Sequence, residues 1–289
     1  MRLHGIHTAM VTPFTADDQV DLDAFAALCT RQLAAGIHGL VPCGTTGESP
    51  TLSESEADAL IRVAVDVSAG KVPVTAGVGS NSTRHAVHNA ERALRAGATA
   101  GLLVLPYYNK PNPPGLLAHV QAVAATGLPL VLYHVPGRTA HHLPAAQLAA
   151  LANLPGVIGV KEATGDVRYG TDLLRLTQRA VLSGDDFTFL GLLAQGGHGC
   201  ISVVSNIDPH RTVATYERFI AGDSAGAASA LERLWELIGW LFSEVNPVPA
   251  KVALAALGLC RADARLPLGP SQLAAPTAML ERLELLRRA

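Results

Sequence analysis

The sequence predicts an α/β fold, a (β/α)8 TIM barrel with a C-terminal three-helix appendage, and three observations point there. Short apolar runs alternate with longer amphipathic segments as far as residue 221 of the 289-residue chain. They form eight strand–helix pairs, the number that closes a parallel sheet on itself, and the connections between them are too short to hold another domain. Beyond residue 221 the strand signals stop and only helical spacing remains. The expected division is therefore a barrel over 1–221 and a helical region over 222–289.

The strand-like runs lie near 6–11, 37–42, 72–76, 100–105, 129–133, 156–161, 180–183 and 199–203. The first helix-like segment, 23–35, ends at Ala35-Gly36, where glycine supplies a left-handed residue. The second, 53–69, opens on a capping box of Ser53 with Glu56 three residues later. The third, 82–96, follows Asn81-Ser82-Thr83 and closes at Ala96-Gly97. That tripeptide matches a glycosylation sequon, but without a secretion signal it reads as a helix cap. Helix-like segments near 114–126, 144–153, 167–179, 186–195 and 208–221 complete the eight pairs. In the appendage Leu231, Leu234, Trp235, Ile238 and Leu241 recur with helical spacing, and stretches near 249–257 and 271–288 follow Pro247 and Pro270.

Composition narrows the function classes. Hydrophobic residues make up 49% of the chain, charged residues 16%, and the net charge of −2 gives no broad basic field for nucleic acid. No uncharged apolar stretch is long enough to span a bilayer and the start shows no signal-peptide core, so no membrane partner and a cytoplasmic location are expected. Cys29, Cys43, Cys200 and Cys260 are scattered without metal-ligand spacing and read as free thiols. His85 with His88, and His141 with His142, lack a nearby third ligand and read as surface residues. Neither GxGxxG nor GxxxxGK[ST] occurs, so nucleotide binding through those loops is unsupported.

The residue that points to chemistry is Lys161, which ends the apolar run Val157-Ile158-Gly159-Val160. An ammonium buried without a partner is costly, and the neutral amine is a nucleophile that forms imines with carbonyl compounds. A strand-end lysine that simply reaches water is the ordinary alternative. In barrels of this type the active site lies at the C-terminal ends of the strands, and several polar groups end strands here. Tyr133 closes the preceding strand, about 4.8 Å away and on the same face by alternation, where a phenol could relay protons. Gly44-Thr45-Thr46-Gly47 offers two hydroxyls and backbone N–H groups on a glycine-flexed turn, suited to a small carboxylate. Arg138 follows a proline-glycine turn and could hold a second carboxylate in its planar fork.

Taken in order, GTTGES at 44–49, PYYNKP at 106–111, YHVPGRT at 133–139, GVKEATGD at 159–166, SGDD at 183–186, ISV at 201–203, NPVPAK at 246–251 and RLPL at 265–268 closely resemble the dihydrodipicolinate synthase branch of the pyruvate-dependent class I aldolases. The resemblance spans essentially the whole chain. It implies condensation of pyruvate with aspartate-4-semialdehyde on the way to diaminopimelate and lysine, with no metal or organic cofactor. By that likeness Lys161 forms the imine and Tyr133 gives and takes protons, while Thr45 links Tyr133 to a Tyr108 contributed by a neighbouring subunit. Thr46 would bind the pyruvate carboxylate, Arg138 the semialdehyde carboxylate, and the backbone near Gly184 and Ile201 would line the pocket. Borrowing Tyr108 implies a homo-oligomer, a tetramer built as a dimer of dimers.

His134 departs from the asparagine common in close relatives, and Pro50 from alanine. Aldolases of the same family that act on sialic acid, 2-keto-3-deoxy sugar acids or 4-hydroxy-2-oxoglutarate are the nearest alternative. Arg138 discriminates, because a polyol needs no guanidinium at that subsite. A non-catalytic pyruvate or amino-acid sensor is the alternative from another class, and it would have no use for the amine.

Overall fold

The computed structural model describes residues 3–286. Eight strands, β1 (Gly5–Ala9), β2 (Gly39–Val41), β3 (Thr75–Gly77), β4 (Ala100–Val104), β5 (Leu130–His134), β6 (Val157–Glu162), β7 (Ala180–Ser183) and β8 (Gly199–Ser202), pair in parallel in the order β2-β1-β8-β7-β6-β5-β4-β3. A parallel bridge between Leu40 and Val74, with Leu40 N–H donating to the Pro73 carbonyl at 3.0 Å, joins the two ends of that order. The sheet is thus a barrel, as the eight alternating units predict.

Helices α1 (Leu22–Ala34), α2 (Glu54–Ser68), α3 (Thr83–Arg95), α4 (Pro113–Ala124), α5 (Pro136–Thr139), α6 (Ala145–Ala152), α7 (Val167–Leu176), α8 (Phe189–Ala194) and α9 (Pro209–Ile220) follow the strands, and α10 (Ser224–Leu241), α11 (Val248–Ala256) and α12 (Thr277–Arg282) form the appendage. Side chains of Asp21, Ser53, Ser82, Asn112, Asp166, Asp208 and Asp223 cap helix N-termini, and the Ser53–Glu56 capping box is complete. Each such cap is worth about 1 kcal/mol. Leu231, Leu234, Leu237, Ile238 and Leu241 of α10 join the same apolar cluster as the barrel's outer face. Inside the barrel Leu3, Ala9, Val41, Leu102, Val131, Leu182 and Ile201 form a separate cluster that includes Tyr133. No described helix is long and apolar enough to cross a membrane.

Several helix boundaries differ from the expectation, each where side-chain hydrogen bonds engage the residues at the expected end. The segment expected from 186 starts at Phe189, because the Phe187 N–H is drawn to the Asp185 carboxylate while Asp186 accepts from the N–H groups of Val203 and Val204. The one expected to reach 179 stops at Leu176, where Thr177 turns extended and donates its hydroxyl to Asn153 Oδ1. The stretch expected over 271–288 is helical only over Thr277–Arg282, since Glu244 takes the Ser271 hydroxyl and the Gln272 N–H. Residues 287 and 288 lie outside the described residues. The short helix α5 was not anticipated. It lies in the loop that carries Arg138.

Candidate active site

Lys161 and Tyr133 are register partners across β5 and β6. Both point into the barrel, and Lys161 is 5% exposed with its Nζ 4.2 Å from the centre of the Tyr133 ring. The amine thus lies over the face of the ring rather than beside the hydroxyl. Among the described residues it has no hydrogen-bonding or ion-pair partner. Room for the lysine stem comes from Gly184 at the end of β7, where a Cβ would sit 2.8 Å from Lys161 Cε and 2.7 Å from the Ala163 Cβ. Ile201 of β8 is fully buried in the same interior cluster.

The turn after β2 closes on itself: the N–H groups of Gly47 and Ser49 donate to the Gly44 carbonyl and that of Glu48 to the Thr45 carbonyl. The N–H groups of Thr45 and Thr46 have no partner among the described residues. Thr46 is buried and Thr45 half-buried. Arg138, on α5, is exposed, and its Nη2 donates to the backbone carbonyl of Asn246 at 3.3 Å. A cavity of about 580 Å³ opens beside these groups, lined by Thr45, Glu48, Tyr107, Arg138 and Asn246, and extends to His85 and Arg92. Lys161 and Tyr133 are not among its walls.

The hydroxyls of Tyr133 and Thr45 make no hydrogen bond within the described chain. Tyr108 stands apart, 88% exposed with a positive φ of 71°. One chain thus groups Lys161, Tyr133, Gly184 and Ile201 inside the barrel, and Thr45, Thr46 and Arg138 around Asn246 and the cavity beside it, with Tyr108 apart.

Behind this face the wall is polar but shielded. His134, the residue after Tyr133, turns its ring toward Tyr169 at 5.6 Å, and neither of its nitrogens finds a partner. Burial holds its pKa down to about 4, with His141 and His142 adding repulsion. Burial also pushes the Glu162 and Asp186 carboxyls up, against the hydrogen bonds that favour their charged forms. His141, expected at the surface, is half-buried.

The supports of the Thr45–Thr46 turn come from the far end of the sequence. Glu48, at its exit with φ 56°, places Oε1 2.6 Å from Lys251 Nζ and accepts the Arg265 N–H at 2.9 Å on Oε2. Lys251 is wholly buried, and its Nζ and the Arg265 guanidinium lie 4.1 and 4.4 Å from the ring centre of Phe14. Asn246 Nδ2 donates to Thr46 Oγ1 at 2.9 Å. The sequence displays these residues in NPVPAK and RLPL, but their partners lie some two hundred positions away, beyond any local pattern.

Comparison with known proteins identifies the family. The model of the dihydrodipicolinate synthetase family matches residues 2–284. A 4-hydroxy-tetrahydrodipicolinate synthase of Sorangium cellulosum is 50% identical, over 99% of this chain and 98% of its own. One from Phenylobacterium zucineum is 45% identical, over 96% of this chain and 95% of its own. Among solved structures, a chloride-inhibited dihydrodipicolinate synthase of Acinetobacter baumannii, in complex with pyruvate, superposes with a TM-score of 0.93 at 38% identity, over 98% of this chain and 99% of that one. By this full-length similarity, the chain belongs to the dihydrodipicolinate synthetase family.

Proposed function

We propose that this chain is a class I aldolase that condenses pyruvate with L-aspartate-4-semialdehyde and cyclises the adduct to 4-hydroxy-tetrahydrodipicolinate, in the biosynthesis of diaminopimelate and lysine. Full-length likeness to synthases of that name supports the reading. The observation that carries it is Lys161, an amine buried at the barrel mouth with no carboxylate partner among the described residues, held over Tyr133.

The Lys161 amine attacks the ketone carbon of pyruvate, and loss of water leaves an imine. The imine draws electrons from the adjacent methyl group, which gives up a proton and becomes a nucleophilic enamine. Attack on the semialdehyde carbon makes the new C–C bond. The amino group of the second substrate then adds to the imine carbon, closes the ring and releases Lys161 as an amine. Each step moves a proton, and Tyr133 is the nearby carrier, with Thr45 passing protons onward. Thr46 and the free N–H groups of the turn hold the pyruvate carboxylate, Arg138 the carboxylate of the semialdehyde, and the backbone at Gly184 and Ile201 lines the pocket. Holding both substrates converts a bimolecular encounter into a step within one complex.

The same reading makes the enzyme a cytoplasmic homotetramer in which each chain lends Tyr108 to its neighbour. The exposure of Tyr108 and its left-handed backbone, a conformation unusual for an aromatic residue, support that role.

Borohydride reduction in the presence of pyruvate tests the chemistry. Reduced pyruvate is expected on Lys161, and Lys161→Ala is expected to fold, to trap nothing and to lose turnover of pyruvate with the semialdehyde. Retained turnover in that variant would remove the amine from its role, and faster cleavage of sugar acids than synthesis would reassign the substrate.

A further inference from the structure

Asn246 is 8% exposed, precedes α11, and touches both substrate-binding groups of the proposed site. Its side-chain Nδ2 donates to Thr46 Oγ1 at 2.9 Å, and its backbone carbonyl accepts from Arg138 Nη2 at 3.3 Å. Its Oδ1 is buried without a partner. We propose that Asn246 is a positioning residue that turns the Thr46 hydroxyl into a dedicated donor for the keto-acid carboxylate, while its backbone holds Arg138 at the second subsite. The inference rests on the function proposed above and adds the residue that aligns the pyruvate grip.

The argument is one of donors and acceptors. A hydroxyl carries one hydrogen and two lone pairs. With the amide of Asn246 donating into one lone pair, the Thr46 hydrogen cannot point back at Asn246. No other acceptor among the described residues takes it, so it is left for a ligand. A carboxylate only accepts, so a hydroxyl prevented from spending its hydrogen elsewhere is the better partner. Asn246 is itself held firmly. The ion pair of Lys251 with Glu48 ties α11 to the turn that carries Thr46, and the Arg265 N–H closes the other side of the Glu48 carboxylate. Turn and amide therefore keep their alignment without a ligand, the preorganisation that an anion site requires.

The two contacts use different atoms, which separates their effects. Every substitution at 246 retains the carbonyl that holds Arg138, whereas the Thr46 contact needs the side-chain amide. Asn246→Ala is thus expected to raise KM for pyruvate about 10-fold, the cost of one hydrogen bond to a charged group, with KM for the semialdehyde within about twofold and kcat within about threefold. Asn246→Asp keeps the shape but offers only acceptors, so it captures the Thr46 hydrogen and is expected to raise KM for pyruvate further. Since Asn246 acts through Thr46, adding Asn246→Ala to Thr46→Val should raise that variant's KM for pyruvate less than about twofold.

Steady-state kinetics on the full chain, with circular dichroism confirming the fold of each variant, decide the matter. If Asn246→Ala does not fold, the isosteric Asn246→Asp is read in its place. An unchanged KM for pyruvate in the folded variant, or the same fold-increase in the Thr46→Val background as in the wild type, overturns the inference. Absence of turnover in the wild-type chain would instead overturn the underlying function, so the two failures are distinguishable.

Discussion

Lys161 gains its character from its neighbours at close range, and Gly184 is the one that leaves no slack. A methyl group there would lie within 3 Å of both Lys161 Cε and Ala163 Cβ, so Gly184→Ala must displace the amine. A misplacement of about 1 Å can cost roughly 100-fold in rate, and we expect kcat/KM to fall by 10- to 100-fold with little change in Tm. An equal loss of Tm and activity would mean that the methyl unseats the barrel rather than the lysine. Lys161 and Tyr133 were legible in the sequence because strand alternation and the strand-end rule are local and place both on the inner face. The perch of the amine over the ring was not, since alternation gives a face and not a side-chain torsion. Asn246 was visible within NPVPAK, but its task depends on Thr46, a contact that no periodicity encodes.

The element that most shapes the site is the turn between β2 and α2, held by α11 and the segment after it. Glu48 meets two donors from that region, the Lys251 ammonium and the Arg265 N–H, and Lys251 has no route to water. Burial lowers the Lys251 pKa and the Glu48 charge opposes that shift. Removing one member of such a pair strands the other, at a cost of about 3–5 kcal/mol. Glu48→Ala should therefore lose about that much in urea unfolding, whereas replacing the pair together by Glu48→Leu and Lys251→Met should cost far less. Equal costs for the single and double variants would show that the pair adds no coupling. Element positions were legible to within a few residues, because strands and helices announce themselves through apolar period and caps. Boundaries moved where a residue at the expected end bonds to a group distant in sequence, as Asp186 does with Val203 and Val204 and Gln272 with Glu244.

At the scale of the whole molecule, the fold buries imidazoles that cannot comfortably carry charge, His7 and His134 most strongly. His7, inside the barrel, and His134, outside its wall, are both pushed by burial from the ordinary 6.5 to about 4. As the pH falls through 6.5 the unfolded chain takes up these protons and the folded chain does not, so stability declines until about pH 4 and then levels off. Each histidine contributes up to about 3 kcal/mol to that decline. His134→Asn should flatten the fall in Tm between pH 7 and pH 4.5, and an unchanged slope would mean that His134 is already charged in the fold. The eight-unit barrel was legible because each unit is a local repeat. The expectation of a second chain at Tyr108 came only from the likeness of its motif, since an exposed aromatic leaves no periodic mark of what it meets. The clasp of Glu48 by Lys251 and Arg265 also bears on birth at the ribosome. A growing polypeptide that has emerged only as far as β8 already holds Lys161, yet the fastening of the turn that carries Thr45 and Thr46 is still to come. That turn can therefore settle only once residue 265 has followed the barrel out of the ribosome.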